Sequence, residues 1–429
     1  MMKEEKNIFG TLPHTDDHSI LRTPVTIGTK TAPNRIVYQA MEGCDGTAAG
    51  SPDELTIRRY ERFASGGPGI VWVEATAVKR EGRANPRQLY LDETTFDDFK
   101  RLCEMIKETS MKKNGYAPFV AIQLTHSGRY SKPEGVPAPL IAYNNPIFEK
   151  DNPIPADRIL SDDYLDSLRD ALVSGAQMAE RAGFDAADIK CCHRYLLCEL
   201  LSAYEREGKY GGSYENRTRL VREAVKGAAE SCSSDFVITS RMNAYDGFEY
   251  PYGFGVNPGC GIEPDFTEAC RLANDLADSG LKLLNITMGN PYFNPHVNRP
   301  YKRGGYVPPE DPMAGVERML TGTREVMASL NGRIPVICSG ITYLGAAAPD
   351  VVAACIEQGW FSMAGFGRQS FAYPNVAADI CAGKGMDPKQ ICMTCSMCTE
   401  LMRGGGTTGC IVRDQEVYKP LYQQYVLKK

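Results

Sequence analysis

Residues 161–190, SDDYLDSLRDALVSGAQMAERAGFDAADIK, read as a helix followed by a short strand. Ser161 and two aspartates supply an N-cap and an acidic first turn, apolar residues recur at helical spacing over 161–181, and the pattern stops before Gly183. Residues 186–190 then form an apolar run of strand length. Outward from this unit, short apolar or β-branched runs alternate with longer amphipathic segments across 36–366, and 264–279 ends at Gly280 as a second such helix. Eight runs qualify as strands: 36–40, 70–74, 119–124, 186–190, 236–241, 283–288, 335–339 and 361–365. Eight strands with interposed helices predict an α/β fold, a closed (β/α)8 TIM barrel rather than an open doubly wound sheet.

The chain has 429 residues, more than the roughly 250 typical of such a barrel. The expected organisation is a barrel over 1–380 and a cysteine-rich extension over 381–429. With 24% charged residues and a formal net charge of −5, the chain offers no electrostatic pull toward nucleic acid or an anionic membrane. No apolar run of membrane-spanning length occurs, and MMKEEKNIFG lacks the apolar stretch of a signal peptide. A soluble cytoplasmic protein is the expectation. No GxGxxG follows a strand, which excludes a Rossmann dinucleotide domain.

Residues 131–160 and 290–311 break the repeat; both are rich in Pro, Asn, Gly and Tyr, and they follow the third and sixth strands. Loops after barrel strands lie on the catalytic face, so these two read either as pocket walls or as long ordered connections. Tyr292, Phe293, His296 and Arg299 in the second imply an aromatic-walled site with a cationic group.

Fifteen cysteines in a chain read as intracellular point to metal or redox chemistry rather than disulfides, and their number hints at an oxygen-poor habitat. Eleven are scattered and read as small buried hydrophobes. The other four, Cys392, Cys395, Cys398 and Cys410, have C-x2-C-x2-C spacing with the last after eleven residues. Four thiolates suit a structural zinc or a 4Fe-4S cluster, and three close cysteines plus a distant one favour the cluster. The intervening TELMRGGGTTG has three successive glycines that let backbone N–H groups approach cluster sulfurs.

Several segments together resemble the old yellow enzyme family (NADH:flavin oxidoreductases), specifically its iron–sulfur branch with 2,4-dienoyl-CoA reductase and trimethylamine dehydrogenase. They are APNRIVYQAM at 32–41, GGPGIVWVEATAV at 66–78, QLTHSGR at 123–129, YGGSYENRTR at 210–219, GFGR at 365–368 and the cysteine motif. The resemblance implies FMN at the barrel mouth. It places Ala40, Met41 and Ala75 against the flavin ring, Glu42 near its N5 edge where relatives carry Thr or Cys, and Gln123 as a ring hydrogen-bond partner. Arg241, ending the fifth strand, matches the arginine near flavin N1, and Gly340 with Gly367 and Arg368 match the phosphate cradle after strands seven and eight. After the fourth strand the chain reads Lys190-Cys-Cys-His193-Arg-Tyr195, in which His193 and Tyr195 match the family's active-site pattern and Lys190 replaces its first histidine.

By this resemblance, Lys190 and His193 hold a substrate carbonyl, or Lys190 binds a substrate carboxylate instead, while Tyr195 protonates the α-carbon of an activated C=C bond. The implied activity is an FMN- and 4Fe-4S-dependent ene-reductase acting on a small unsaturated carbonyl compound. The cysteine spacing is closer to trimethylamine dehydrogenase, which keeps amine dehydrogenation as an alternative. A third reading is an electron-transfer subunit, because the chain stops 19 residues past Cys410 where larger relatives continue into FAD- and NAD(P)H-binding domains. Electrons then come from NAD(P)H directly or from a separate reductase, and the reading allows a homo-oligomer.

Overall fold

The computed structural model describes residues 11–428, so MMKEEKNIFG lies outside the described residues. Eight parallel strands close into a barrel: β1 (Ile36–Tyr38), β2 (Ile70–Ala77), β3 (Phe119–Thr125), β4 (Ala186–Ile189), β5 (Val237–Tyr245), β6 (Leu283–Met288), β7 (Val336–Cys338) and β8 (Met363–Phe366). Each pairs with the next, and β8 closes on β1 with Ala364 opposite Ile36. All eight apolar runs of the sequence are these strands.

One boundary differs in a way that matters. β5 runs to Tyr245, so Arg241 lies inside it rather than at its end, with Asn243 and Tyr245 continuing the pairing to β6. A short antiparallel hairpin, Val25–Ile27 with Lys30–Ala32, precedes the barrel. Three-residue strands carry too little alternation to be seen in a sequence. Val25, Ile27 and Ala32 join Ile70, Trp72, Phe119 and Met363 in an apolar cluster that fills the barrel.

The helix of the opening segment runs Asp162–Arg181, capped by the Ser161 side chain, which accepts from Tyr164 N at 3.2 Å. Its buried face, Leu165, Leu168, Leu172, Ala176 and Ala179, packs in the main core between barrel and helices. Truncating Leu168 to Ala removes about 2–5 kcal/mol of such packing. The helix at 264–279 spans Thr267–Asp278.

The segment after β8 is fastened across the ends of β1 and β2. Its helices Met397–Arg403 and Gln415–Tyr422 share an apolar cluster of Leu401, Ile411, Tyr418 and Tyr422. Asp414 accepts from Arg58 at 2.8 Å and from Arg62, both on the helix Glu54–Ser65. Thr408 N and Thr407 Oγ1 both donate to Gly43 O at 2.7 Å. Gly43 N in turn donates to Glu74, which with Asp45 pairs with the buried Arg59. Among the described residues, no helix is long and apolar enough to cross a membrane.

Candidate active site

The C-terminal ends of the strands surround a cleft of about 1020 Å³. Ala40, Met41 and Glu42 follow β1, Ala75 lies in β2, and Gln123 in β3. Lys190, His193 and Tyr195 follow β4, Arg241 enters from β5, and Gly340, Gly367 and Arg368 follow β7 and β8. The structure thus brings all twelve of these candidate residues to one cleft. The β/α repeat explains this, since parallel strands carry every following loop to the same barrel face.

Within the barrel a carboxylate organises the floor. Asp188 accepts from Gln123 Nε2 at 2.6 Å, Trp72 Nε1 at 3.0 Å and Arg241 N at 2.7 Å. Burial raises its pKa to about 6, opposed by these hydrogen bonds and by Arg241 and Lys190. With its amide nitrogen held by Asp188, Gln123 keeps its carbonyl oxygen for another partner. Arg241 is buried, and its Nε has no hydrogen-bond partner among the described residues. Sequence reading missed Asp188, because an acidic residue within an apolar run gives no hint of which side of the strand it faces.

The turn after β4 carries backbone strain. His193 and Arg194 adopt φ of 63° and 59°, a left-handed region that costs non-glycine residues roughly 1–2 kcal/mol each. The buried pair of Arg194 with Asp246, at 2.9 Å, and the bond from His193 N to Asn243 Oδ1, at 3.1 Å, hold it there. Asn298 Nδ2 donates to Met288 O and stands 3.0 Å from His193 Nε2, so Nε2 accepts and the ring proton is assigned to Nδ1. Burial first, then the nearby charges of Arg241, Lys190 and Arg299, hold His193 well below the usual range and therefore neutral. Lys190 Nζ lies 3.6 Å from the centre of the Tyr195 ring, and burial lowers its pKa. Tyr195 Oη is 3.1 Å from Glu42 Oε2 and 2.9 Å from Tyr292 Oη.

At the other end, the cleft is positively charged. Arg368 donates to Pro300 O at 2.8 Å while its Nη1 is buried with no hydrogen-bond partner among the described residues. Arg299 lies beside it, its pKa lowered to about 10 by burial and by Arg368. Gly340 has φ of 77°, which favours glycine. A Cβ on Gly365 would meet Gln39 Nε2 at 1.9 Å.

Of the residues expected from the second irregular loop, Tyr292 and Arg299 line the cleft. Phe293 does not; it packs edge-on against Phe148 and Phe248, tying the two irregular loops together. His296 instead meets Tyr306 at 2.5 Å. Sequence reading had no signal for Met402, Arg403 and Thr408, which enter the cleft from the C-terminal segment.

Cys392, Cys395, Cys398 and Cys410 all line a second, smaller cavity. Among the described residues, no group of three or more His, Cys, Asp or Glu side chains is drawn together at metal-holding distances. Thr394 N donates to Cys392 Sγ at 3.4 Å, and Thr394 and Ser396 take left-handed φ of 49° and 60°. Arg368 and Cys398 line both cavities. Of the scattered cysteines, Cys44, Cys103, Cys191, Cys192, Cys198, Cys338 and Cys355 are buried and Cys260 is exposed.

Residues 21–254 match the model of the NADH:flavin oxidoreductase / NADH oxidase family. The chain is 31% identical over 247 residues to an NADPH dehydrogenase of Clostridium acetobutylicum, covering 57% of this chain and 68% of that protein. It superposes on a 2-naphthoyl-CoA reductase in complex with 2-naphthoyl-CoA with TM-score 0.76 and 20% identity, over 96% of this chain and 58% of that one. Histamine dehydrogenase from Rhizobium sp. 4-9 gives TM-score 0.69 and 21% identity, over 93% and 53%. These two structures share the fold, and the chain spans little more than half the length of each.

Proposed function

Because the chain belongs to the NADH:flavin oxidoreductase / NADH oxidase family, we propose that it is an FMN- and 4Fe-4S-dependent reductase of activated C=C bonds. The observation that carries this reading is the convergence of Lys190, His193 and Tyr195 on the cleft that Arg241 and Arg368 enter from the other strands. Buried polar atoms normally find partners. The unpartnered Arg241 Nε and Arg368 Nη1 fit an acceptor-rich, anionic ligand such as FMN. Four cysteines on one cavity fit the cluster, with residues 381–429 as its bearer over the barrel of 1–380.

FMN, when bound here, would supply hydride-transfer chemistry toward the β-carbon of the substrate. Arg241 and the carbonyl of Gln123 would hold the ring, while Arg368 and Arg299, with the Gly340 and Gly367 backbone, would hold the phosphate. Lys190 and the Nδ1–H of neutral His193 donate to the substrate carbonyl oxygen, where negative charge develops. Tyr195 gives its proton to the α-carbon. Tyr292 lines the cleft beside Tyr195, with Tyr130 stacked on it at 4.0 Å, and so gives the site an aromatic wall. Ala40, Met41 and Ala75, which line the same cleft, would offer apolar contact to the ring.

Reductases and an amine dehydrogenase both share this fold. The ene-reductase reading stands above amine dehydrogenation because Lys190 and the Nδ1–H of His193 are donors, which suit a substrate carbonyl oxygen rather than a substrate ammonium. Electrons enter from NAD(P)H or a separate reductase, Cys398 being the point where the cysteine cavity meets the cleft.

Anaerobically purified protein should contain one FMN and about four irons per chain, and its reduced flavin should be reoxidised by members of an enone and enoate panel. Zinc in place of iron, or no reoxidation by any member, would overturn the proposal.

A further inference from the structure

A phenol has one proton, and Tyr195 Oη has two close protein partners. Its hydroxyl stands 3.1 Å from Glu42 Oε2 and 2.9 Å from Tyr292 Oη. When Glu42 is ionised it can only accept, so it draws the Tyr195 proton toward itself and away from substrate. When Glu42 is protonated it donates to Tyr195 Oη, and the phenolic proton is free to point into the cleft. The protonation state of Glu42 therefore decides where the Tyr195 proton points.

Glu42 also lies between the phenol and the outside. Tyr195 is 3% exposed, whereas Glu42 is only partly buried. Its other carboxylate oxygen accepts from Asn85 Nδ2 at 3.0 Å, and the Cys44 thiol lies 3.9 Å from that oxygen. The charged groups facing it are Lys190 at the end of β4, Lys132 from the first irregular loop and Glu74 from β2. The two lysines favour the carboxylate, while burial favours the acid and dominates, so the pKa is raised.

Resting on the ene-reductase reading, we propose that Glu42 is the acid that re-protonates Tyr195 in each turnover. The Tyr195 O–H bond breaks as the α-carbon C–H bond forms, and the tyrosinate oxygen takes the Glu42 carboxyl proton. The Glu42 carboxylate then regains a proton from solvent. One solvent proton enters the product, and no oxidant or reductant is needed beyond the reaction already proposed.

The holoenzyme tests this with Glu42→Gln, Glu42→Asp and Tyr195→Phe. Infrared difference titration should show a protonated carboxyl band in the wild type that is absent in Glu42→Gln and displaced in Tyr195→Phe; this readout needs no substrate. Substrate-driven flavin reoxidation should fall about tenfold per pH unit above the Glu42 pKa in the wild type. It should be at least about tenfold slower and flat with pH in Glu42→Gln, with the pH-dependent limb restored in Glu42→Asp. Dithionite reduction should be alike in all, which shows that FMN is bound. Wild-type rate and pH profile in Glu42→Gln, or no titrating carboxyl band, overturns the relay. Wild-type enzyme that no enone reoxidises overturns the ene-reductase reading instead, while the infrared coupling of Glu42 to Tyr195 still decides the pairing.

Discussion

Arg368 and Cys398 stand in the wall between two cavities, each lining both the cleft at the barrel mouth and the chamber of four cysteines. A cationic side chain and a ligand-type sulfur at one boundary put the two proposed redox centres next to each other. The segment that carries Cys398 also closes the cleft, because Met402, Arg403 and Thr408 line it.

Replacing Cys398 with Ser should therefore remove iron and acid-labile sulfide together and lower FMN content as well. Cys260→Ser, at an exposed position outside both cavities, should leave all three unchanged. Metal, sulfide and flavin analysis per chain after anaerobic purification checks this; full iron in Cys398→Ser would exclude that sulfur as a ligand.

Arg368→Leu should weaken FMN binding about 10- to 100-fold, since a hydrogen bond to a charged group contributes roughly 1.5–3 kcal/mol. Arg241→Met should act differently, lowering the flavin reduction potential by removing the buried positive charge that favours the reduced anionic ring. Flavin fluorescence titration of the apoprotein and a spectroelectrochemical titration separate the two. Equal potentials in wild type and Arg241→Met would place Arg241 away from the ring.

Lys190→Met should slow reoxidation by enones about 100-fold, the cost of losing one preorganised donor to a developing oxyanion. FMN content and dithionite reduction should not change. Rapid-mixing absorbance at the flavin band follows both half-reactions, and an unaffected reoxidation rate would remove Lys190 from the carbonyl clamp.

The buried Asp188 makes stability depend on pH. Its pKa rises from an ordinary 3.8 to about 6, mainly because burial disfavours the charge. Between these values the native chain holds a proton that the unfolded chain has released, so this group's contribution to stability falls as pH rises through the window and is level above it. Asp188→Asn lacks this titration. Thermal melts of the apoproteins should show the wild type losing Tm relative to Asp188→Asn from about pH 4 to about pH 6, and a constant difference would contradict the assignment.

The strand pattern was legible because burial on both faces makes each barrel strand a continuous apolar run, as in residues 119–124 and 283–288. The site candidates at and after the ends of those runs were legible through the resemblance to the old yellow enzyme family, since barrel strands carry their C-terminal ends to one face. The hairpin before the barrel was not legible, each of its strands having only three residues. Nor was the extent of β5, where polar Asn243 continues the strand because its side chain donates to Asp246 Oδ1 and Gly289 O.

By itself the sequence determined the eight βα units, the cleft at their C-terminal ends and the spacing of four cysteines, because periodicity and short-range spacing are properties of neighbouring residues. Only the tertiary structure decided that Glu42 faces Tyr195, that Asp188 holds Gln123, and that Cys398 comes to the wall of the cleft. Glu42 and Tyr195 are 153 residues apart, and Gln123 and Asp188 are 65 apart. Their contact depends on barrel closure, on a strained turn held by Arg194 and Asp246, and on a C-terminal segment pinned to Gly43, none of which a local pattern encodes.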